Sequence, residues 1–187
     1  MSTTAIDTRI TADIETNGAA PKRIATSRRA NALADRILEG AALLADFVSG
    51  LSQEEWELPV TATDRRPIGV IVNHVATMYP IEIDAARAIA GGNAVTEVTW
   101  DVIAQLNAKN ASENADVTKA EALELLARNS REAAAVVREF TDEELDTAAP
   151  FSLSFGAPMT AQFVIEDHAL RHAWHHLARI RAAVGSR

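Results

Sequence analysis

Apolar residues recur every three or four positions through four long stretches of the chain, the spacing of one face of an α-helix. The stretches cover approximately residues 27–50, 67–92, 100–140 and 160–185. Four such stretches, joined by short connections, predict an all-α fold: an antiparallel four-helix bundle with short extra helical turns. Bundles of this kind place metal sites in the core, on side chains from facing helices.

Serine and threonine residues stand where the helices should begin, and their side chains can cap a helix N-terminus. Ser52 and Thr118 are each followed by a glutamate three positions later, the capping-box pattern, and Thr160 is placed to cap the last helix. Pro80 lies inside the second stretch, where it should kink or break the helix. The third stretch is either one interrupted helix or two, and residues 148–158 favour a loop over a short extended segment.

The composition of the chain argues against several classes of function. The formal net charge of -8 argues against a nucleic-acid-binding surface, which would be basic. There is no cysteine, which excludes disulfides, a thiol nucleophile and cysteine-based zinc sites. No apolar run approaches the roughly 18 residues of a membrane span, and no secretory signal is recognisable, so a cytoplasmic protein is expected. Residues 1–23 are predicted to form a flexible N-terminal tail, and residues 24–187 the bundle domain.

Four of the five histidines lie in one short segment of the fourth stretch. His168, His172 and His176 recur every fourth residue, which places them in one column on a helix. Imidazole is the commonest metal-binding side chain. His175 lies at the edge of this column and is the weakest ligand candidate. His168-x3-His172 has the spacing of the metalloprotease motif HExxH, but Ala169 replaces its glutamate.

The same helix has a second apolar face, formed by Leu170, Trp174 and Leu177, roughly opposite the histidines. If this face is the core, the histidines are solvated, or are buried but only hydrogen-bonded. If the histidines face the core, the apolar face needs another partner, such as a second subunit, and the protein is a homodimer.

His74 stands alone on the apolar face of the second stretch, where the ordinary interpretation is a hydrogen-bonded core residue. Combined with a histidine pair from the last helix it completes a three-histidine site. Either His168/His172 or His172/His176 can supply that pair. Three neutral nitrogen donors suit zinc or nickel, and three protein ligands without a fourth are typical of a catalytic rather than a structural site.

The chain resembles the DinB/YfiT-like superfamily of metalloenzymes, which includes mycothiol- and bacillithiol-dependent enzymes. The resemblance lies in segment 66–75 (RPIGVIVNHV), segment 103–108 (IAQLNA) and the closing histidines. It implies a DinB-like four-helix bundle whose metal is bound by His74, His172 and His176. It places His168 behind the ligands or at the entrance of the site.

The resemblance also implies an activity: a divalent-metal-dependent enzyme of thiol transfer or detoxification, in which the metal activates a low-molecular-weight thiol, or water, against a small-molecule substrate. A non-catalytic metal-binding stress-response bundle and a metal-dependent hydrolase are the alternatives. No catalytic side chain is assigned. Asn73, Asn107 or Asp167 could orient a ligand imidazole, as ligating histidines usually require.

Overall fold

A computed structural model describes residues 27–185, so the predicted N-terminal tail at residues 1–23 lies outside the described region. The element order is α1 (Arg28–Ser49), α2 (Gln53–Trp56), α3 (Ile68–Ala90), α4 (Trp100–Glu113), α5 (Lys119–Val137), α6 (Asp142–Asp146), β1 (Ala148–Pro150), a 3₁₀ turn (Ser152–Ser154), β2 (Pro158–Thr160), α7 (Ala161–Val164), a π-helical turn (Ile165–Leu170) and α8 (Arg171–Gly185). The last three segments run on without a break and are called the final helix below.

The predicted four-helix bundle is confirmed: α1, α3, α5 and the final helix pack around one core. The caps form as the sequence indicates. Ser27 accepts a hydrogen bond from the backbone of Ala30, and Ser52 and Thr118 close capping boxes. Each cap satisfies helix N–H groups that have no partner inside the helix, so these residues set where the helices begin.

Helix α3 is the most thoroughly buried helix of the bundle. It contains Pro80 without ending there, so of the two effects predicted for this residue, a kink or a break, the break does not occur, although the proline removes one backbone donor. Apolar side chains on both sides of Pro80 are buried, among them Val75, Tyr79 and Ile83, and this packing holds the helix together.

The third stretch forms two helices, because the capping box at Thr118 starts α5 anew after α4 has ended. Helix α4 differs from the others: none of its residues is buried, and it packs mainly on α3. The segment favoured as a loop is a short hairpin, in which β1 pairs with β2 in antiparallel fashion, with Ala149 opposite Met159. The hairpin turns through Phe155 and Gly156, both in the left-handed region with φ of 58° and 79°.

The final helix is covered on two sides within one chain, although Trp174 remains 38% exposed. Leu170 and Leu177 are 6% and 2% exposed and pack on the hydrophobic core, where α1 covers this side of the final helix. Trp174 lies over Gly40, whose missing side chain makes room for the indole. Leu170 and Leu177 therefore need no second subunit to be buried, and the homodimer itself stays a prediction.

An ideal helical projection does not describe this helix well. The π turn forms i→i+5 hydrogen bonds, so a spacing of 3.6 residues per turn does not hold across it. Within residues 27–185, none of the helices combines the length and the apolar character that crossing a membrane requires.

Candidate metal centre

Three histidines from two helices converge in the core. Helix α3 supplies His74, and α8 supplies His172 and His176. Nε2 of His74 lies 3.1 Å from Nε2 of His172, and one nitrogen of each of the three rings lies within 4.8 Å of the others. The three make up the one potential metal-binding cluster of histidines and acidic residues found in the described part of the chain.

The spacing of the first two rings suits a shared ion. Zinc–nitrogen bonds are about 2.0–2.1 Å long, so two nitrogens on one tetrahedral ion stand roughly 3.3 Å apart. The 3.1 Å between Nε2 of His74 and Nε2 of His172 is close to that value. The same two Nε2 atoms are also close enough to share a hydrogen bond, which is the alternative to a shared ion. Nδ1 of His74 and Nδ1 of His176 are buried without a hydrogen-bond partner among the described residues.

Burial keeps two of the three histidines, His74 and His176, neutral. His74 and His176 are 6% and 5% exposed. Burial, with the neighbouring His172 adding to the effect, lowers the pKa of His74 to about 3. Burial also holds the pKa of His176 far below its ordinary value, with His172 and His74 contributing. A neutral imidazole has a free lone pair, which is the form that binds a metal. The donor set therefore fits a borderline divalent ion such as zinc or nickel.

A cavity of about 260 Å³ opens onto the three histidines. Its walls come from α3, α4, the hairpin and the final helix. Its apolar lining includes Met78, Ile81, Val98, Ile103, Phe151 and Val164. Its polar lining, apart from the three histidines, comprises Glu82, Asn107, Ser154, Asp167, His168, Arg171 and His175. Few pockets of soluble proteins combine an apolar wall with converging nitrogen donors unless they bind a ligand.

A family model described as the DinB superfamily matches residues 36–180. The chain belongs to the DinB superfamily. The solved structure of YfiT from Bacillus subtilis, described as a probable metal-dependent hydrolase with an unusual four-helix bundle topology, matches with a TM-score of 0.67. The match covers 88% of this chain and 91% of that chain at 16% sequence identity, a level at which the likeness shows the fold. No curated protein matches the chain.

The DinB-like bundle also brings a carboxylate to the cluster. Glu82, two turns after His74 on α3, is 6% exposed, and its Oε1 lies 2.8 Å from Nδ1 of His172. The contact is short, but it lacks the alignment of a linear hydrogen bond, and Oε2 has no hydrogen-bond partner in the described region. The sequence offered one signal for this residue, an acid placed between the apolar residues Ile81 and Ile83. Acids at such positions are rarely buried without a partner.

The three residues suggested as partners for an imidazole bind elsewhere. Oδ1 of Asn73 accepts a hydrogen bond from Asn110, and Asp167 accepts from Arg171. Asn107 lines the cavity, with its buried Oδ1 unpaired among the described residues. None of the three is hydrogen-bonded to a histidine within residues 27–185, and a different carboxylate, that of Glu82, lies next to His172.

The two remaining histidines of the DinB-like segment lie at the edge of the site. His168 lines the cavity, and its ring meets Phe151 edge to face with 5.3 Å between ring centroids. Burial lowers the pKa of His168, so this ring too is kept neutral. His175 is exposed and touches the cluster only through His176, with 5.1 Å between centroids. The entrance role of His168 and the low rank of His175 as a ligand stay predictions.

Proposed function

We propose that this protein is a divalent-metal-dependent enzyme in which His74, His172 and His176 hold the ion. The observation that carries the proposal is the convergence of three imidazoles beneath a cavity large enough for a small molecule. Cavity and donors occur together, so a molecule in the cavity lies directly against the metal position.

The number of donors favours an enzyme over a non-catalytic metal-binding bundle. Structural zinc sites close with four protein ligands, whereas catalytic sites keep three and leave a position open. Within residues 27–185 the cluster has three donors, and Glu82, the nearest carboxylate, faces the outer nitrogen of His172. The fourth position is therefore left to water or to a ligand from the cavity.

A bound divalent ion would act as a Lewis acid that lowers the pKa of a water or thiol at its open position. The residues of this chain would orient the metal ligands and shape the cavity. The carboxylate of Glu82 lies against Nδ1 of His172 and favours a ring orientation with Nε2 toward the metal position. The apolar wall formed by residues such as Phe151 and Val164 keeps bulk water away. His168 narrows the entrance against Phe151.

The nucleophile must come from outside the chain if it is a thiol, because the sequence has no cysteine. Thiol transfer is the activity implied by the mycothiol- and bacillithiol-dependent relatives that the chain resembles. Hydrolysis is the alternative, and YfiT is described as a probable metal-dependent hydrolase. In both reactions the nucleophile would bind at the same open metal position. It is a thiol in the transfer reaction and water in hydrolysis.

The test is an assay of zinc- and nickel-reconstituted protein on two substrates. Transfer is measured with 1-chloro-2,4-dinitrobenzene and N-acetylcysteine, and hydrolysis with p-nitrophenyl acetate without thiol. We expect metal-dependent turnover of one of them, lost in His74→Ala and kept in His175→Ala. Loaded protein without turnover on either substrate would support the non-catalytic bundle instead, and turnover that persists after chelation would contradict the metal's role.

A further inference from the structure

The cavity above the three histidines has an outer part that the proposed metal chemistry does not use. One face of α4 lies along it, formed by Trp100, Ile103 and Asn107, three and four residues apart. The hairpin forms the wall on another side with Phe151 and Leu153. Four of these five residues, all but Asn107, are apolar.

The wall is fixed in place on the hairpin side. Phe151 is only 1% exposed, and Oγ of Ser152 donates a 2.6 Å hydrogen bond to the carbonyl of Val98. Val98 precedes α4 by two residues, so this bond ties the start of α4 to the hairpin. Trp100, in contrast, is 56% exposed although it lines the cavity. A large aromatic side chain left open to solvent at a cavity mouth can gain contact area when a ligand enters.

The cationic side chain at the cavity already has a carboxylate partner. Arg171 is the one Lys or Arg side chain that lines it within the described region. Its Nε lies 3.0 Å from Oδ1 of Asp167 and donates to the backbone carbonyl of the same residue. Glu82 lies against His172. The wall thus offers no free cation to an anionic group, and burying an unpaired charge there would be unfavourable.

We propose that the part of the substrate that lies beyond the metal is neutral and mainly apolar, and is held between Trp100 of α4 and the hairpin residues Phe151 and Leu153. This inference rests on the proposed function for the position of the substrate's reactive end. The apolar contacts themselves are independent of which reaction takes place. Specificity for the body of the substrate then lies in α4 and the hairpin, and the histidines act on its polar end.

The test uses three probes with one metal-binding head and different tails: acetohydroxamate, benzohydroxamate and 4-carboxybenzohydroxamate. Dissociation constants are measured by calorimetry on zinc-loaded protein. Burial of the phenyl ring should make benzohydroxamate bind at least about tenfold more tightly than acetohydroxamate. The added carboxylate should remove that gain. Equal binding of the first two probes, or tightest binding of the carboxylate, would overturn the proposal.

Two variants locate the contact. Trp100→Ala should lose most of the gain of benzohydroxamate and leave acetohydroxamate binding unchanged. Leu106→Ala is the matched control, since Leu106 is an exposed apolar residue of the same helix that does not line the cavity. Neither variant should unfold the protein, because α4 contains no buried residue. If benzohydroxamate still binds much more tightly than acetohydroxamate in Trp100→Ala, Trp100 does not contact the substrate as proposed.

The design separates this inference from the proposed metal site. If acetohydroxamate does not bind to zinc-treated wild-type protein, the metal proposal fails, and the apolar wall is tested alone with benzyl alcohol by NMR titration. Binding of benzyl alcohol that Trp100→Ala weakens and Leu106→Ala preserves would support the apolar wall without a metal. No binding of benzyl alcohol in that case would overturn it.

Discussion

Oε1 of Glu82 lies 2.8 Å from Nδ1 of His172, and the opposite nitrogen of the same ring points toward His74. The carboxylate therefore stands behind a predicted metal ligand rather than beside the metal. A carboxylate in this position favours the tautomer that carries its proton on Nδ1, which leaves the Nε2 lone pair free for the ion. This arrangement links α3, which carries Glu82 and His74, to α8.

Removal of this carboxylate should weaken metal binding without removing a ligand. We expect Glu82→Ala to raise the zinc dissociation constant by about 10- to 100-fold, the usual effect of losing such a partner, and Glu82→Gln by less, because an amide oxygen can still accept from Nδ1. Competition with a chelating dye measures both. Asp84→Asn, an exposed acid on the same helix, is the control and should bind as the wild type does. Wild-type affinity in Glu82→Ala would contradict the role of Glu82.

Gly69 is predicted to be required for close packing between α3 and Trp56. A Cβ at this position would lie 2.4 Å from Nε1 of Trp56, whose side chain is only 3% exposed. We expect Gly69→Ala to lower the free energy of unfolding by about 1–3 kcal/mol, although alanine is the better helix former. Gly50→Ala is the control, since its nearest neighbour would be an ordinary 3.7 Å away. Urea unfolding compares them, and equal stabilities would show that Trp56 can move aside.

Asp64 should contribute stability that depends on pH. Hydrogen bonds from Arg66, and then from Arg179, hold the pKa of Asp64 well below its ordinary value. A carboxyl whose pKa is depressed in the folded state contributes stability that is present above its unfolded pKa of about 4 and is lost as the pH falls further. We therefore expect Asp64→Asn to cost about 1–3 kcal/mol at pH 7.

Urea unfolding between pH 7 and pH 3 tests this. The difference between the wild type and Asp64→Asn should stay constant down to about pH 4 and then shrink by at most about 1.4 kcal/mol per pH unit. The exposed Asp116, changed to asparagine, serves as the control and should show little difference at any pH. A difference for Asp64→Asn that grows as the pH falls would have the wrong sign.

Asn110 is expected to hold α4 in place over the cavity. Its Nδ2 donates to Oδ1 of Asn73 at 3.1 Å and to Oγ1 of Thr77 at 3.2 Å, and Asn73 is 4% exposed. Because α4 has no buried residue, these bonds are a large share of its attachment. Asn110→Ala should speed hydrogen exchange of the α4 amides and leave α5 unchanged. Lys109→Ala, a control on the exposed side of α4, should leave hydrogen exchange of the α4 amides unchanged. Equal exchange rates in the two variants would show that other contacts hold the helix.

The bundle was predictable because its signals are local. Caps such as Ser52 and Thr118 and the apolar spacing of α1 and α3 identify helices from neighbouring residues alone. The hairpin was missed because each strand has only three residues, and strands this short carry almost no alternating pattern. The break considered at Pro80 does not occur, because the proline removes only one local hydrogen bond, whereas the core contacts that stabilise α3 come from other helices.

The candidate site was predictable only in part. The histidine spacing left two pairs open, and the family resemblance chose His172 and His176, which the structure brings next to His74. The contact of Glu82 with His172 depends on how α3 and α8 pack, which the spacing of residues along the sequence does not show. The burial of Leu170 and Leu177 within one chain was not predicted for a similar reason, since it depends on the packing of α1 against the final helix.

The central claim is that His74, His172 and His176 together hold one divalent ion, and metal content tests it most directly. Elemental analysis of protein purified without chelators and reconstituted with zinc should give about one ion per chain. His74→Ala, His172→Ala and His176→Ala should each lose most of it, whereas His175→Ala should retain it, with helicity checked by circular dichroism. A fully helical wild-type protein that takes up no metal, or a His74→Ala variant that binds as much as the wild type, would contradict the account.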